Sequence, residues 1–159
     1  MDLDDWMRIK QCKTKEQFEE AKRVVKEYLI WLNIDIDFQN IKSEFENFSK
    51  IYSPPDGAFY LVKIDKKLAG GVGFKRLEDS ICEIKRLYVY PDFRGKGVGK
   101  TLLDMTLTLA KNYGYSRARL DTLERMKEAI TLYKSFGFKE ISPYYLNPLP
   151  KVKYFEINL

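Results

Sequence analysis

The sequence predicts an α+β fold with a strand–loop–helix unit at its centre. Three observations carry that reading. Segments with helical hydrophobic spacing flank a run of short, β-branched and aromatic segments between Ala58 and Tyr90. A glycine- and cation-rich stretch, Arg94-Gly95-Lys96-Gly97-Val98-Gly99-Lys100-Thr101, leads from the last of them into another helical pattern. Finally, 159 residues, 45% hydrophobic and 32% charged, suit one domain spanning 1–159 with a core of its own.

The elements follow in chain order. Residues 7–10 read as a short first strand. Thr14 and Gln17 have capping-box spacing, and Phe18, Ala21, Val25, Tyr28, Leu29 and Leu32 continue as one apolar helical stripe. Phe38, Ile41, Phe45 and Phe48 predict a second, short helix. Pro54-Pro55-Asp56-Gly57 is a loop. Strands are expected at 58–64, 68–76 and 81–90, with a turn at Asp65-Lys66-Lys67 and a stop at Pro91. Gly70, Gly71 and Gly73 mark the second strand as twisted or closely approached. Val98, Leu102, Leu103, Leu107 and Ala110 define the helix after the glycine-rich stretch, and Gly114 closes it. A strand at 115–121, a helix at 126–136 stopped by Gly137, and strands at 138–141 and 152–157 complete the chain. No internal repeat or low-complexity linker interrupts it.

Composition removes several chemistries. The chain has no histidine, so Ser-His-Asp and Cys-His nucleophile systems and histidine-ligated metals are excluded. Acid–base work falls to carboxylate, tyrosine, lysine or cysteine. Cys12 and Cys82 lie far apart without CxxC spacing, which argues against a disulfide framework or a zinc site and fits a reducing compartment. The acidic start lacks signal-peptide features, and no apolar run is long enough to span a membrane. The expectation is a cytoplasmic protein with no metal and no membrane partner. A net charge of +5 suits a polyanion or a single basic pocket for a phosphorylated cofactor. The absence of a long basic run disfavours nucleic acid.

The loop at 94–101 is built for phosphate. Glycines allow close backbone approach, and a helix N-terminus presents unpaired N–H groups and partial positive charge. Arg94, Lys96 and Lys100 add full charges. A triphosphate-binding P-loop would need its first glycine at Arg94, and a dinucleotide fingerprint would need glycine at Lys100. Both patterns fail by one position. A plain glycine turn that starts a helix is the remaining alternative.

Arg94, Gly97 and Gly99 match the Arg/Gln-x-x-Gly-x-Gly/Ala motif, and this part of the chain resembles the GNAT acetyltransferase superfamily, in its bacterial small-molecule type. The resemblance runs from about Ala58 to Phe138, more loosely to the end. It covers the preceding strand, Glu83-Ile84-Lys85-Arg86-Leu87-Tyr88-Val89, and the later Leu120-Asp121-Thr122, Ala129, Tyr133 and Gly137-Phe138. Met126 departs from the family, which often has asparagine there. The resemblance implies a mixed, mostly antiparallel twisted sheet of six to seven strands flanked by about four helices. It implies acetyl-CoA as cofactor, held by Leu87, Tyr88, Val89, Arg94, Gly95, Lys96, Gly97, Val98, Gly99, Lys100, Thr101, Ala129 and Tyr133, and it makes a homodimer an open possibility.

The implied activity is acetyl transfer from acetyl-CoA to a primary amine of a small molecule, by direct attack in a ternary complex. Glu83, eleven residues before Arg94, is the implied base, acting directly or through a water. Its alternative role is a structural or substrate-binding carboxylate. Tyr133 is the implied acid for the leaving thiolate, and its alternative role is core packing. Strand alternation places Glu83, Lys85, Leu87 and Val89 on one face and Cys82 on the other. A backbone N–H at Leu87 is the implied oxyanion donor, freed where the flanking strands splay apart. Cys12 and Cys82 are the nucleophile candidates for a ping-pong route, with core packing preferred for Cys82. On the acceptor side, Trp31, Phe38, Phe45, Phe59, Tyr144 and Tyr145 are candidates to line a pocket, against a bland role in the core. Lys85 and Arg86 suggest an acceptor that carries a carboxylate. Competing readings are a protein or peptide acceptor and a non-catalytic acyl-CoA sensor, the second disfavoured by the presence of both Glu83 and Tyr133.

Overall fold

A computed structural model describes residues 2–3, 6–35 and 39–159. Phe38 lies outside the described residues. The strands are β1 (Asp2–Leu3), β2 (Met7–Gln11), β3 (Ala58–Ile64), β4 (Lys67–Glu78), β5 (Ile81–Val89), β6 (Arg117–Leu123), β7 (Lys139–Ile141) and β8 (Val152–Asn158). The helices are α1 (Lys15–Trp31), α2 (Gln39–Glu46), α3 (Phe48–Ile51), α4 (Val98–Asn112) and α5 (Lys127–Ser135). All eight strands join one sheet in the order β1-β2-β3-β4-β5-β6-β8-β7. The β5–β6 pairing is parallel and the others are antiparallel. This is the expected mixed sheet. The two-residue β1 and four-residue α3 extend it, each too short to leave a periodic signature.

Local chemistry sets the boundaries. Thr14 caps α1 reciprocally: the Gln17 N–H donates to Thr14 Oγ1 at 3.2 Å, and the Thr14 N–H donates to Gln17 Oε1 at 3.0 Å. The strand expected from Tyr115 starts instead at Arg117. The Tyr115 N–H is still bonded to the Ala110 carbonyl at 3.2 Å, closing α4 past Gly114 at φ 100°.

Alternation along β3 divides the core into two layers. Tyr60 and Val62 face Leu102 and Leu103 of α4 and Tyr133 of α5. Phe59 and Leu61 face Phe18, Val25 and Leu29 of α1 and Phe48 of α3. In β4, glycine makes room for that second layer. A Cβ at Gly73 would meet Phe59 Cδ2 at 2.7 Å and Tyr52 Cε1 at 2.8 Å. One at Gly70 would collide with the Tyr88 carbonyl of β5.

Two irregularities in β5 shape the site. Gly71 pairs with Tyr88 but Gly73 pairs with Lys85, so Arg86 and Leu87 together oppose Val72. This is a β-bulge, with Arg86 at φ 61°. On its other edge, β5 pairs with β6 only through Ile81, Cys82 and Glu83. Beyond Glu83 the two strands part.

Replacing Gly73 by alanine forces a methyl group against two buried rings. The expected loss is about 1–3 kcal/mol of stability. A lower urea midpoint at unchanged m-value measures it.

Candidate active site

Three cavities border β5. The first is a cleft of about 630 Å³ bordered by Leu87, Tyr88, Val89, Arg94, Gly95, Gly97, Val98, Gly99, Ala129 and Tyr133. Tyr28 and Trp31 of α1 form its far wall. The second, of about 90 Å³, lies between the parted strands and is bordered by Tyr28, Lys85, Arg86, Asp121 and Tyr145. The third, of about 630 Å³, is bordered by Glu44, Lys75, Glu83, Lys85, Arg86 and Tyr145. Tyr28 borders the first two cavities, and Lys85, Arg86 and Tyr145 border the last two.

The cleft has the makings of a phosphate cradle. Gly95 and Gly97 adopt left-handed φ of 79° and 78°, and an added Cβ at either would meet nothing within 4 Å. The glycines are needed for their backbone conformation, which turns the chain into α4. No side chain caps α4, and the first-turn N–H groups before Thr101, whose own N–H bonds to the Gly97 carbonyl, have no intrahelical acceptor. Arg94 is held in place: its Nε donates to the Val89 carbonyl at 2.9 Å, and its guanidinium stacks 4.5 Å from the Trp31 ring and 5.4 Å from the Tyr88 ring. Its side chain borders the cleft. A diphosphate group therefore fits the loop, the helix start and Arg94. Lys96 and Lys100 are exposed and do not border the cleft, while Thr101 Oγ1 donates back to the Gly97 carbonyl at 2.9 Å.

The bulge corrects one expectation about β5. One inserted residue reverses the alternation that follows it. Glu83 and Lys85 keep the acceptor side, but Leu87 and Val89 join Cys82 and Ile84 in the α4 layer, and Tyr88 turns toward α1. The same bulge leaves Arg86 and Leu87 with no paired residue on β4, and β6 has already parted from β5 there. Leu87 thus borders the cleft outside the regular ladder.

Tyr133 sits at the inner end of the cleft, packed 5.7 Å from the Phe138 ring and 6.3 Å from the Phe155 ring. Burial pushes its phenol well above the ordinary range, with Tyr28 and Asp121 adding to the effect. It therefore stays protonated at neutral pH. No hydrogen bond ties down its hydroxyl among the described residues. Tyr133 thus packs into the core and also borders the cleft.

Glu83 is buried in the third cavity rather than beside Tyr133. Its Oε2 accepts the Tyr144 hydroxyl at 2.7 Å, and Lys75 and Lys85 place Nζ at 3.9 Å and 3.8 Å from Oε1. A second carboxylate, Asp121, lines the middle cavity. It accepts the Tyr145 hydroxyl and the Asn147 Nδ2–H, the latter at 3.0 Å. Sequence reasoning gave Asp121 no chemical role. Its signal was a charge inside an expected strand, in Leu120-Asp121-Thr122-Leu123.

Arg86 is already committed. Its Nη2 and Nε grip the Glu44 carboxylate at 2.6 Å and 3.2 Å, and Tyr52 donates to the same group at 3.0 Å. Burial alone would raise Glu44, but the Arg86 charge and hydrogen bonds outweigh it and hold Glu44 below the usual range. The pair therefore stabilises the fold at neutral pH, and this contribution is lost as the pH falls through the lowered folded value. Burial pushes the Cys12 and Cys82 thiols up to about 12, so neither supplies a thiolate at neutral pH.

The aromatic candidates separate. Tyr145 borders the two acceptor-side cavities, and Tyr144 holds Glu83. Phe59 is wholly buried in the α1 layer and Phe45 packs against it. Trp31 belongs to the cleft of the glycine-rich loop, because α1 ends beside Arg94.

Comparison with known proteins agrees with this geometry. Residues 18–138 match the Acetyltransferase (GNAT) family. A Schizosaccharomyces pombe protein named as an uncharacterized N-acetyltransferase is 36% identical over 95% of this chain and 94% of its own. An acetyltransferase of Streptococcus agalactiae superposes with a TM-score of 0.83 at 22% identity, covering 98% of this chain and 100% of that one. The PaiA N-acetyltransferase of Thermoplasma acidophilum, solved in complex with coenzyme A, has a TM-score of 0.71 at 22% identity, covering 96% and 99%. With a family match over most of its length and a full-length N-acetyltransferase relative, this chain belongs to the GNAT family of acetyltransferases.

Proposed function

We propose that the protein is a single cytoplasmic catalytic domain that acetylates the primary amine of a small molecule, with both substrates bound together. One observation carries this reading most: the parted strands join a phosphate-suited cleft to a small, carboxylate-lined cavity. The middle cavity is small, about 90 Å³ against about 630 Å³ for each of its neighbours. That favours an unhindered amine. The high thiol pKa values favour direct attack over an enzyme-bound acyl group.

Acetyl-CoA, when bound, supplies the thioester whose C–S bond breaks as the C–N bond to the acceptor forms. The loop at 94–99 and the start of α4 bind the diphosphate. The Leu87 N–H is the donor for an acyl oxygen. A carboxylate accepts the proton that the amine loses. Glu83 does so through a water, with Tyr144 fixing its orientation. A second reading gives this role to Asp121, favoured by its place in the middle cavity and its electrostatic reach to Tyr133. Tyr133 Oη holds the proton that the leaving sulfur takes. Burial in the same cleft also raises the affinity of that sulfur for a proton, as it does for Cys12 and Cys82.

Acetyl-CoA turnover, followed by thiol release against a pool of small primary amines, tests the function. Tyr133→Phe should lower kcat by about 10²–10⁴-fold while leaving the acetyl-CoA KM and the melting temperature close to wild type. An unchanged kcat removes Tyr133 from the chemistry. Glu83→Gln and Asp121→Asn, assayed side by side, identify the base as the variant with the larger kcat loss.

CoA at a hundredfold excess over Kd should stabilise the protein by about 2.7 kcal/mol, whereas ATP should not. Thermal shift measures both. Iodoacetamide at about pH 7.5 should label neither cysteine in the folded protein, and mass spectrometry after labelling reads this directly.

A further inference from the structure

We infer that the acceptor is a zwitterion, with a carboxylate on the same small skeleton as its reacting amine, as in an α-amino acid. The inference rests on the acetyl-transfer reading above and names the class of its amine. It comes from the charges on the two walls of the middle cavity and the cavity that adjoins it.

Around the cavity that β5 lines with β4 and α2, three cations meet two anions. Arg86 is neutralised by its two-point contact with Glu44. Glu83 then has to serve both lysines: Lys75 and Lys85 approach the same oxygen, Oε1, at 3.9 Å and 3.8 Å. One positive charge is left over. Lys85 is the one placed to use it, because it borders the middle cavity as well and its side chain is 17% exposed against 36% for Lys75. A half-buried ammonium in excess favours an anionic ligand.

On the β6 wall the balance is reversed. Asp121 is held only by neutral donors, the Tyr145 hydroxyl and the Asn147 amide. No cation pairs with it among the described residues. A ligand that neutralises both walls therefore presents an ammonium to Asp121 and an anion to Lys85. The ammonium end lies toward the cleft, since Tyr28 borders both the cleft and the middle cavity. At about 90 Å³ the middle cavity suits the amine, α-carbon and carboxylate. Any side chain would project into the larger cavity beyond Lys85 and Tyr145.

The test uses the common α-amino acids, each beside its amide and its decarboxylated amine, on wild type, Lys85→Gln and Lys85→Arg. For the preferred skeleton, kcat/KM for the acid should exceed that for the amide by about tenfold or more. That ratio should fall toward one in Lys85→Gln and return in Lys85→Arg. Equal rates on acid, amide and amine, or an acid preference that survives in Lys85→Gln, overturn the zwitterion inference and leave acetyl transfer standing. Thiol release with none of them, from protein that acetyl-CoA stabilises, overturns the small-amine reading and this inference together.

Discussion

Everything at the site depends on how briefly β5 and β6 stay paired. Three residues of each strand form the ladder, after which β6 continues with β8 alone through Leu123. Backbone polar groups must find partners, so a parted edge inside a sheet is a demand for ligands as much as a gap. The middle cavity, walled by β5 on one side and β6 on the other, follows from that parting. The fold accepts the lost pairings because α1, α4 and α5 bury both faces of the sheet around it.

The bulge in β5 is secured by the pair of Arg86 and Glu44. A left-handed non-glycine residue in a strand needs outside support. Arg86 obtains it from α2, which in turn is tied to α3 through Tyr52. Removing one partner of such a buried pair typically costs about 3–5 kcal/mol, because the other charge is left alone. Arg86 is thus a fastening for the wall it shares with Glu83 and Lys85.

Much of this was legible from residue types. The capping box at Thr14, the glycines at 95, 97 and 99, and the strand succession all have local causes that a sequence displays. The bulge was not legible. Arg86 carries no glycine or proline mark, and its conformation is imposed by a partner 42 positions away. The reversed facing of Leu87 and Val89 followed from that one unseen insertion. Trp31 and Asp121 were misjudged or passed over for the same kind of reason. Their surroundings come from residues distant in sequence, Arg94 stacked on Trp31 and the Tyr145 and Asn147 donors on Asp121, and no spacing rule reports such contacts.

The bulge also partitions β5 into two territories. Before it, Glu83 and Lys85 point toward the cavity beside Tyr145 while Cys82 and Ile84 join the α4 layer; after it, Leu87, Tyr88 and Val89 border the cleft of the glycine-rich loop. The crossover between them is a single backbone irregularity held from outside the strand. Changes at Lys85, or at Lys75 on the neighbouring strand, can therefore drift without disturbing the donor-binding half. A lineage built on this frame is free to exchange one acceptor for another while keeping its acetyl donor.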